Sequence, residues 1–129
     1  MVGVMNSPEH HDESISVIDE VNAQLLAVEF ESLPFIVRRI FVVSSQGVSV
    51  GRGNHLAGCN QLLILLSGKV SLSLLRPDKK ISNLHLNEVG NSALIQPDDF
   101  VTYELLDSQS RILVLADKSY AEAFANRKK

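Results

Sequence analysis

The middle of the chain reads Gly51-Arg52-Gly53-Asn54-His55 and, after five intervening residues, continues as Gln61-Leu62-Leu63-Ile64-Leu65-Leu66-Ser67-Gly68-Lys69-Val70. The first part is polar and rich in glycine, and it predicts a turn that carries one histidine. The second part predicts an apolar strand that closes on Ser67-Gly68. A turn of this kind, running into a buried strand, is typical of a small β-barrel that presents polar side chains at the mouth of its pocket.

Strand-like segments recur along the chain at a spacing of roughly ten residues, which favours a sandwich or a closed barrel. Val70–Leu75 and Ile81–Leu86 alternate apolar and polar residues, as half-buried strands do. Between them, Pro77 and Asp78 predict a turn. The other apolar segments are Ser14–Ile18, Leu25–Phe30, Phe35–Val43, Gln61–Leu66, Ser92–Ile95, Phe100–Leu106 and Arg111–Ala116.

Only the C-terminal end of the chain predicts a helix. Ser119–Arg127 is rich in alanine and has basic residues near its end, and Asp117 could cap it. Residues 1–13 are polar and are expected to form a flexible tail. Residues 14–129 are then predicted to be a single domain, because a chain of 129 residues with 45% apolar residues can bury one sizeable core.

Composition excludes several classes of function. The formal net charge of −3 argues against nucleic acid as the main partner, because phosphate binding needs a basic face. The longest aliphatic run, Leu62–Leu66, is far too short to span a bilayer, and the N-terminus has no basic or apolar leader pattern. Cys59 is the only cysteine, which fits a reducing compartment. We therefore expect a cytoplasmic protein without a membrane partner.

Four segments between Leu25 and Ala125 carry a family resemblance through their order and spacing: Leu33–Phe41, Arg52–His55, Gln61–Gly68 and Ile112–Tyr120. Together they resemble the sugar 3,4-ketoisomerase family, the WxcM-like cupins that act on dTDP-4-keto-6-deoxyhexoses. The resemblance implies an RmlC-like cupin jelly-roll barrel, usually a homodimer with exchanged N-terminal strands. It also implies deoxysugar biosynthesis, for surface polysaccharides or antibiotics, and no metal or organic cofactor.

The family reaction moves a carbonyl from C4 to C3 of the hexose through an enediol. Such proton transfers need groups whose pKa lies near the working pH, which favours histidine. The family carries a His-x-His pair after Arg-Gly-x and tyrosines on the preceding strand. In this chain the first histidine matches His55, but the second position is Ala57 and the tyrosine positions are Phe41 and Val42.

The resemblance gives His55 and Tyr103 the catalytic positions. His55 is either the main acid/base or a solvated loop histidine. Tyr103, within Thr102-Tyr103-Glu104, matches the family's Trp-His-Glu. It either replaces the later histidine as a proton donor or stands at the pocket rim without a chemical role.

Three further residues are candidates for substrate binding. Arg52 matches a family arginine that could bind a pyrophosphate, although it could also be a surface turn residue. Arg38 and Arg39 are adjacent on a predicted strand and must point to opposite faces. The family resemblance implies that Arg39 is the one that faces the pocket. Gln61 takes the place where metal-binding cupins often carry glutamate, and it contacts either the ligand or the backbone.

Other polar residues are expected to have no chemical role. A metal site needs three or four converging ligands, and the motif region offers only one histidine, so we expect no bound catalytic metal. Cys59 lacks a histidine and an aspartate at the spacing of a nucleophile and is expected to be an ordinary thiol. His85 alternates with Leu84 and Leu86 and is expected on the solvent face.

Three functions remain open at this point. The leading prediction is a 3,4-ketoisomerase that binds a nucleotide-linked deoxysugar and uses His55, with Tyr103 or a water covering the lost histidine. A noncatalytic sugar-nucleotide-binding or regulatory cupin is the first alternative, because losing one acid/base group typically costs about 10²–10⁴ in rate. A related reaction on a similar ligand, such as epimerisation, is the second.

Overall fold

The computed structural model describes residues 14–47 and 50–127, without the side chains of residues 50–55 and 126–127. The predicted tail, residues 1–13, lies outside the described residues. Ten β-strands and then one α-helix follow each other in the described part of the chain, with a short 3-10 turn at Phe30–Ser32. They are β1 (Ile15–Glu20), β2 (Ala23–Val28), β3 (Arg39–Ser44), β4 (Val50–Leu56), β5 (Gln61–Ser67), β6 (Val70–Leu75), β7 (Ile81–Leu86), β8 (Ser92–Ile95), β9 (Phe100–Leu105), β10 (Arg111–Ala116) and α1 (Tyr120–Arg127).

The strands form two four-stranded antiparallel sheets and one separate hairpin. The first sheet has the order β3-β10-β5-β8, the second has the order β4-β9-β6-β7, and β1 pairs only with β2. Strands that are far apart in sequence therefore lie side by side, as in a jelly roll. The predicted all-β jelly-roll barrel with a short C-terminal helix is confirmed.

The core lies between the two sheets and consists mainly of branched aliphatic side chains. Val70, Leu72 and Leu74 face it from β6, and the intervening serines are half-buried on the other face. The alternation read from the sequence is thus the alternation of the strand. The turn predicted after β6 is also confirmed, because the Lys80 N–H donates to the Asp78 carboxylate over 3.0 Å.

A second apolar layer covers the outer face of the first sheet. The hairpin β1–β2 and residues 33–37 pack there against Leu62, Ile64 and Leu115. Leu63 and Leu65 point to the opposite face, into the core between the sheets. Since β5 is buried on both faces, its sequence is a continuous apolar run rather than an alternation.

Several boundaries differ from the sequence prediction. The segments Ser14–Ile18 and Leu25–Phe30 are shifted to Ile15–Glu20 and Ala23–Val28, because the two strands pair with each other as a hairpin. Gly51–His55 is part of strand β4 rather than a turn, because this segment pairs along β9 in spite of its two glycines. The apolar segment Phe35–Val43 becomes a strand only at Arg39. Before that point the chain is irregular, and Leu33, Phe35 and Val37 pack on the outer apolar layer instead of joining a sheet.

Ser119, not Asp117, caps the C-terminal helix. The Ser119 hydroxyl accepts from the Glu122 N–H over 3.2 Å, and the Glu122 carboxylate accepts from the Ser119 N–H over 3.1 Å, which is a capping box. Asp117 is engaged elsewhere, with Asn60. Within residues 14–47 and 50–127, no helix is long and apolar enough to cross a membrane.

Candidate active site

A cavity of about 530 Å³ opens between the two sheets, next to the edge strand β3. Its described walls come from β3, β5, β8, β9, β10 and helix α1. The wall includes Arg39, Gln61 and Tyr103, three of the five site residues predicted from the sequence. Tyr103 projects from the middle of β9, where it also packs against the core between the sheets. Three polar side chains from three different strands thus line one volume large enough for a small ligand.

Arg39 faces this cavity from the first position of β3. Arg38 is exposed and Arg39 is half-buried, as the alternation of a strand requires. The guanidinium carbon of Arg39 lies 4.3 Å from the centroid of the Phe41 ring and 5.0 Å from that of Tyr120. Among the described residues, no carboxylate pairs with Arg39. Its positive charge is therefore held by two aromatic faces, while its N–H donors stay available.

Gln61 begins β5 at the cavity wall and is hydrogen-bonded to a buried cysteine. Its amide Nε2 donates to the Cys59 sulfur over 3.6 Å. Burial raises the pKa of the Cys59 thiol above its ordinary value, although the hydrogen bond from Gln61 acts in the opposite direction. A buried thiol with a raised pKa is a poor nucleophile at neutral pH. Cys59 thus has the character of an ordinary thiol that packs beneath Gln61.

Arg52 and His55 lie on β4, at positions paired with the cavity wall. Arg52 is the register partner of Tyr103 and His55 is the register partner of Val101, and both partners line the cavity. In a regular strand, two residues three positions apart lie on opposite faces of the sheet. Here the register shifts between Gly53 and His55, which adds one residue to β4 and gives Arg52 and His55 positions of the same parity. The side chains of these two residues lie outside the described part of the structure.

The sequence interpretation did not identify helix α1 as a wall of the site. Tyr120 and Ala123 line the cavity, and the ring of Tyr120 stacks on that of Phe124 at a centroid distance of 5.8 Å. Two aromatic residues four positions apart on one helix face were the available signal. The sequence could not place that face, because the docking of α1 depends on its contact with the distant loop after β4.

Comparison with known proteins gives a family match and several similar solved structures. Residues 10–126 match the family model FdtA: WxcM-like, C-terminal. The structure is similar to QdtA, a sugar 3,4-ketoisomerase from Thermoanaerobacterium thermosaccharolyticum in complex with TDP. The identity is 25%, the TM-score is 0.72, and the match covers 83% of this chain and 79% of that chain. No curated protein matches the chain.

Two ketoisomerases from Campylobacter jejuni share the fold. WlaRB, a TDP-quinovose 3,4-ketoisomerase, is 22% identical with a TM-score of 0.72, over 90% of this chain and 95% of that chain. WlaRA, a TDP-fucose-3,4-ketoisomerase, is 21% identical with a TM-score of 0.68, over 81% of this chain and 78% of that chain.

Proposed function

We propose that this chain, which belongs to the WxcM-like, C-terminal family, is a sugar 3,4-ketoisomerase. Its substrate in this proposal is a TDP-linked 4-keto-6-deoxyhexose. The observation that carries the proposal is that Arg39, Gln61 and Tyr103 line one and the same cavity. Arg52 and His55 lie on the strand that pairs with this wall. The similarity to a 3,4-ketoisomerase in complex with TDP supports the same ligand class.

In this proposal the cavity binds a dianionic diphosphate at one side and the keto sugar at the other. Arg39 supplies a cation without a carboxylate partner among the described residues, and a guanidinium can donate two parallel hydrogen bonds to a phosphate. Arg52 adds a second positive charge to the same site. Gln61 holds a hydroxyl group of the sugar.

The reaction needs two proton transfers at carbon and two at oxygen, with no net oxidation. His55 removes the proton from C3, and the electron pair of that C–H bond forms a C3=C4 double bond while Tyr103 protonates O4, which gives the enediol. In the second half the deprotonated Tyr103 takes the proton from O3, the carbonyl forms at C3, and the electron pair of the C3=C4 double bond takes the proton from His55 at C4, which restores both groups. The second histidine of the family pattern is Ala57 here. One histidine can serve both carbons, because C3 and C4 are bonded neighbours.

Proton NMR in D₂O tests the proposal directly. The wild-type protein is expected to wash deuterium into C3 of dTDP-4-keto-6-deoxyglucose. His55→Asn should abolish the exchange while the fold is kept. His85→Asn is the matched control, because His85 is an exposed histidine on β7, and it should exchange at the wild-type rate.

The possible outcomes separate the three candidate functions. Broadened ligand signals without exchange would replace the isomerase with a noncatalytic sugar-nucleotide-binding protein. Exchange at C5 would indicate an epimerase. Full exchange in the His55→Asn protein would show that the assigned base is wrong.

The proposal includes a homodimer with exchanged N-terminal strands and a cytoplasmic location. Three exposed apolar side chains support the dimer: Ile40 and Val42 on the edge strand β3 and Ile36 just before it, which is 81% exposed. An exposed edge strand with apolar side chains is a site for pairing with another chain. Sedimentation of the wild-type protein and of Ile36→Asp tests the dimer, because it should dissociate more readily in the variant.

The proposed cytoplasmic location rests on a different residue. The free Cys59 thiol fits a reducing cytoplasm.

A further inference from the structure

We infer that Tyr120 is a positioning residue for Arg39, and that helix α1 thereby forms part of the subsite for the ligand's diphosphate. The inference rests on the proposed function, because it takes the ligand to be a nucleoside diphosphate sugar. Tyr120 itself is assigned no contact with the reacting atoms. It acts through the guanidinium of Arg39.

The first argument is the geometry around the guanidinium. Phe41 lies on the same strand as Arg39, two residues further on, and any arginine in this position could reach it. Tyr120 comes from a different element and restrains the guanidinium from a second direction, at 5.0 Å. An arginine side chain loses much rotational freedom when it binds an anion. A guanidinium already held against two rings has lost part of that freedom before the ligand arrives.

The second argument is that Tyr120 is placed accurately although it is 57% exposed. The capping box between Ser119 and Glu122 fixes the first turn of α1. Before the helix, the Asp117 carboxylate accepts from the Asn60 N–H over 3.0 Å and from its side-chain amide over 2.9 Å. Two independent sets of hydrogen bonds thus fix the backbone on which the tyrosine stands.

The third argument is that Tyr120 does little to hold the helix down. Ala123 is the buried anchor of α1, with Cys59 and Ala116 as its apolar neighbours. The ring of Tyr120 stacks on that of Phe124, which belongs to the same helix. The Arg39 guanidinium contacts the ring of Tyr120 and also that of Phe41. An exposed aromatic side chain that contributes little to packing and covers a cavity-lining cation is better explained by the cation.

Calorimetric titration with TDP and with thymidine tests the inference. Tyr120→Ala should raise the Kd for TDP by about 3- to 10-fold, the range of a partly desolvated cation–π contact. Tyr120→Phe keeps the ring and should stay within about twofold of the wild type. Thymidine carries no phosphate, so its Kd should be the same for all three proteins. In an Arg39→Ala background, Tyr120→Ala should have no further effect on TDP binding.

Each failure has a distinct reading. If wild-type protein does not bind TDP, the proposed function fails and this inference fails with it. If wild-type protein binds TDP and Tyr120→Ala binds it equally well, only the inference is overturned. An equal loss for thymidine and TDP, or a loss that persists without Arg39, would show that Tyr120 has a merely structural role and would also overturn it.

Discussion

Gly58 lies directly against the backbone of Ala123, so the loop after β4 touches helix α1 without an intervening side chain. A Cβ atom on Gly58 would overlap the carbonyl oxygen of Ala123. This contact joins the loop, which leads from β4 into β5, to the helix that supplies Tyr120. The cavity wall therefore depends on the absence of a side chain at one position.

We predict that Gly58→Ala destabilises the protein by about 1–3 kcal/mol, the usual cost of forcing extra atoms into a packed contact. The clash is with backbone, so the helix must move as a whole. Urea unfolding measures the loss. Gly58→Ser carries a larger side chain and should lose at least as much. An unchanged free energy of unfolding in both variants would show that α1 is free to move away.

Removal of the Tyr103 hydroxyl should slow catalysis without weakening binding. Tyr103→Phe keeps the ring that packs against the core, so its fold and its Kd for TDP should match those of the wild type. The rate of deuterium exchange at C3 should fall by about 10²-fold or more if the hydroxyl is the proton donor. A wild-type exchange rate in this variant would assign the proton transfer to a water molecule or to His55 alone.

Arg76 and Asp99, the residue directly before β9, form an ion pair, and we predict that the pair affects stability chiefly when it is broken. Arg76 donates to one carboxylate oxygen of the buried Asp99 over 2.6 Å, and the backbone N–H of Gln96 donates to the same oxygen over 2.8 Å. Among the described residues, the other oxygen has no hydrogen-bond partner. Losing the arginine thus leaves a buried carboxylate without its counter-ion.

Arg76→Ala should cost about 2–3 kcal/mol of unfolding free energy, somewhat less than for a fully buried pair, because the arginine side chain is 27% exposed. Urea unfolding of the double variant Arg76→Ala with Asp99→Asn is the control, since it removes the charge as well. The double variant should recover part of the loss. If the double variant is instead less stable than Arg76→Ala alone, the unpaired charge of Asp99 is not the cause of the loss.

The capping box of α1 should make part of the stability depend on pH. The pKa of Glu122 is lowered from its ordinary value, first by the backbone N–H of Ser119 and then by the Ser119 side chain. A group whose pKa is depressed in the folded state stabilises the protein above its unfolded pKa, and this stabilisation is lost as the pH falls through the folded value.

The difference in unfolding free energy between wild type and Glu122→Gln isolates this carboxylate from the other titrating groups. Glutamine can still accept the hydrogen bond from Ser119 but does not titrate. The advantage of the wild type should be complete at neutral pH, begin to shrink as the pH falls to the ordinary glutamate pKa of 4.5, and be lost only below the lowered pKa of the folded state. A difference that does not change with pH would contradict the prediction.

The fold could be predicted where local pattern and tertiary environment agree. Val70–Leu75 and Ile81–Leu86 alternate in sequence and are strands with one face in the core. Strand β4 could not be recognised, because Gly51 and Gly53 weaken a strand locally and only pairing with the distant β9 stabilises it. The helix cap likewise depends on a tertiary contact. The Asp117 carboxylate is hydrogen-bonded to Asn60, so Ser119 caps the helix instead.

The site was predictable to the extent that strand alternation decides which side chains share a face. Alternation separates Arg38 from Arg39, and the structure has Arg39 in the cavity wall. Nothing in the local sequence indicates that Tyr120, far along the chain, covers the same guanidinium. That contact follows from the docking of α1 on Gly58, which periodicity does not report.

The nesting of the strand pairs has a kinetic consequence. Along the sequence, the pairing of β3 with β10 encloses the pairing of β4 with β9. The first brings Arg39 beside Ala116, and the second brings Val50 beside Leu105. Both close long loops, which makes such pairings late and slow events in folding. Because the cavity lies between the strands that these pairings join, a partly folded chain has no pocket to offer. On the proposed function, a bound nucleotide sugar should therefore slow unfolding and leave the rate of refolding unchanged, so that the ligand protects the finished fold without helping to build it.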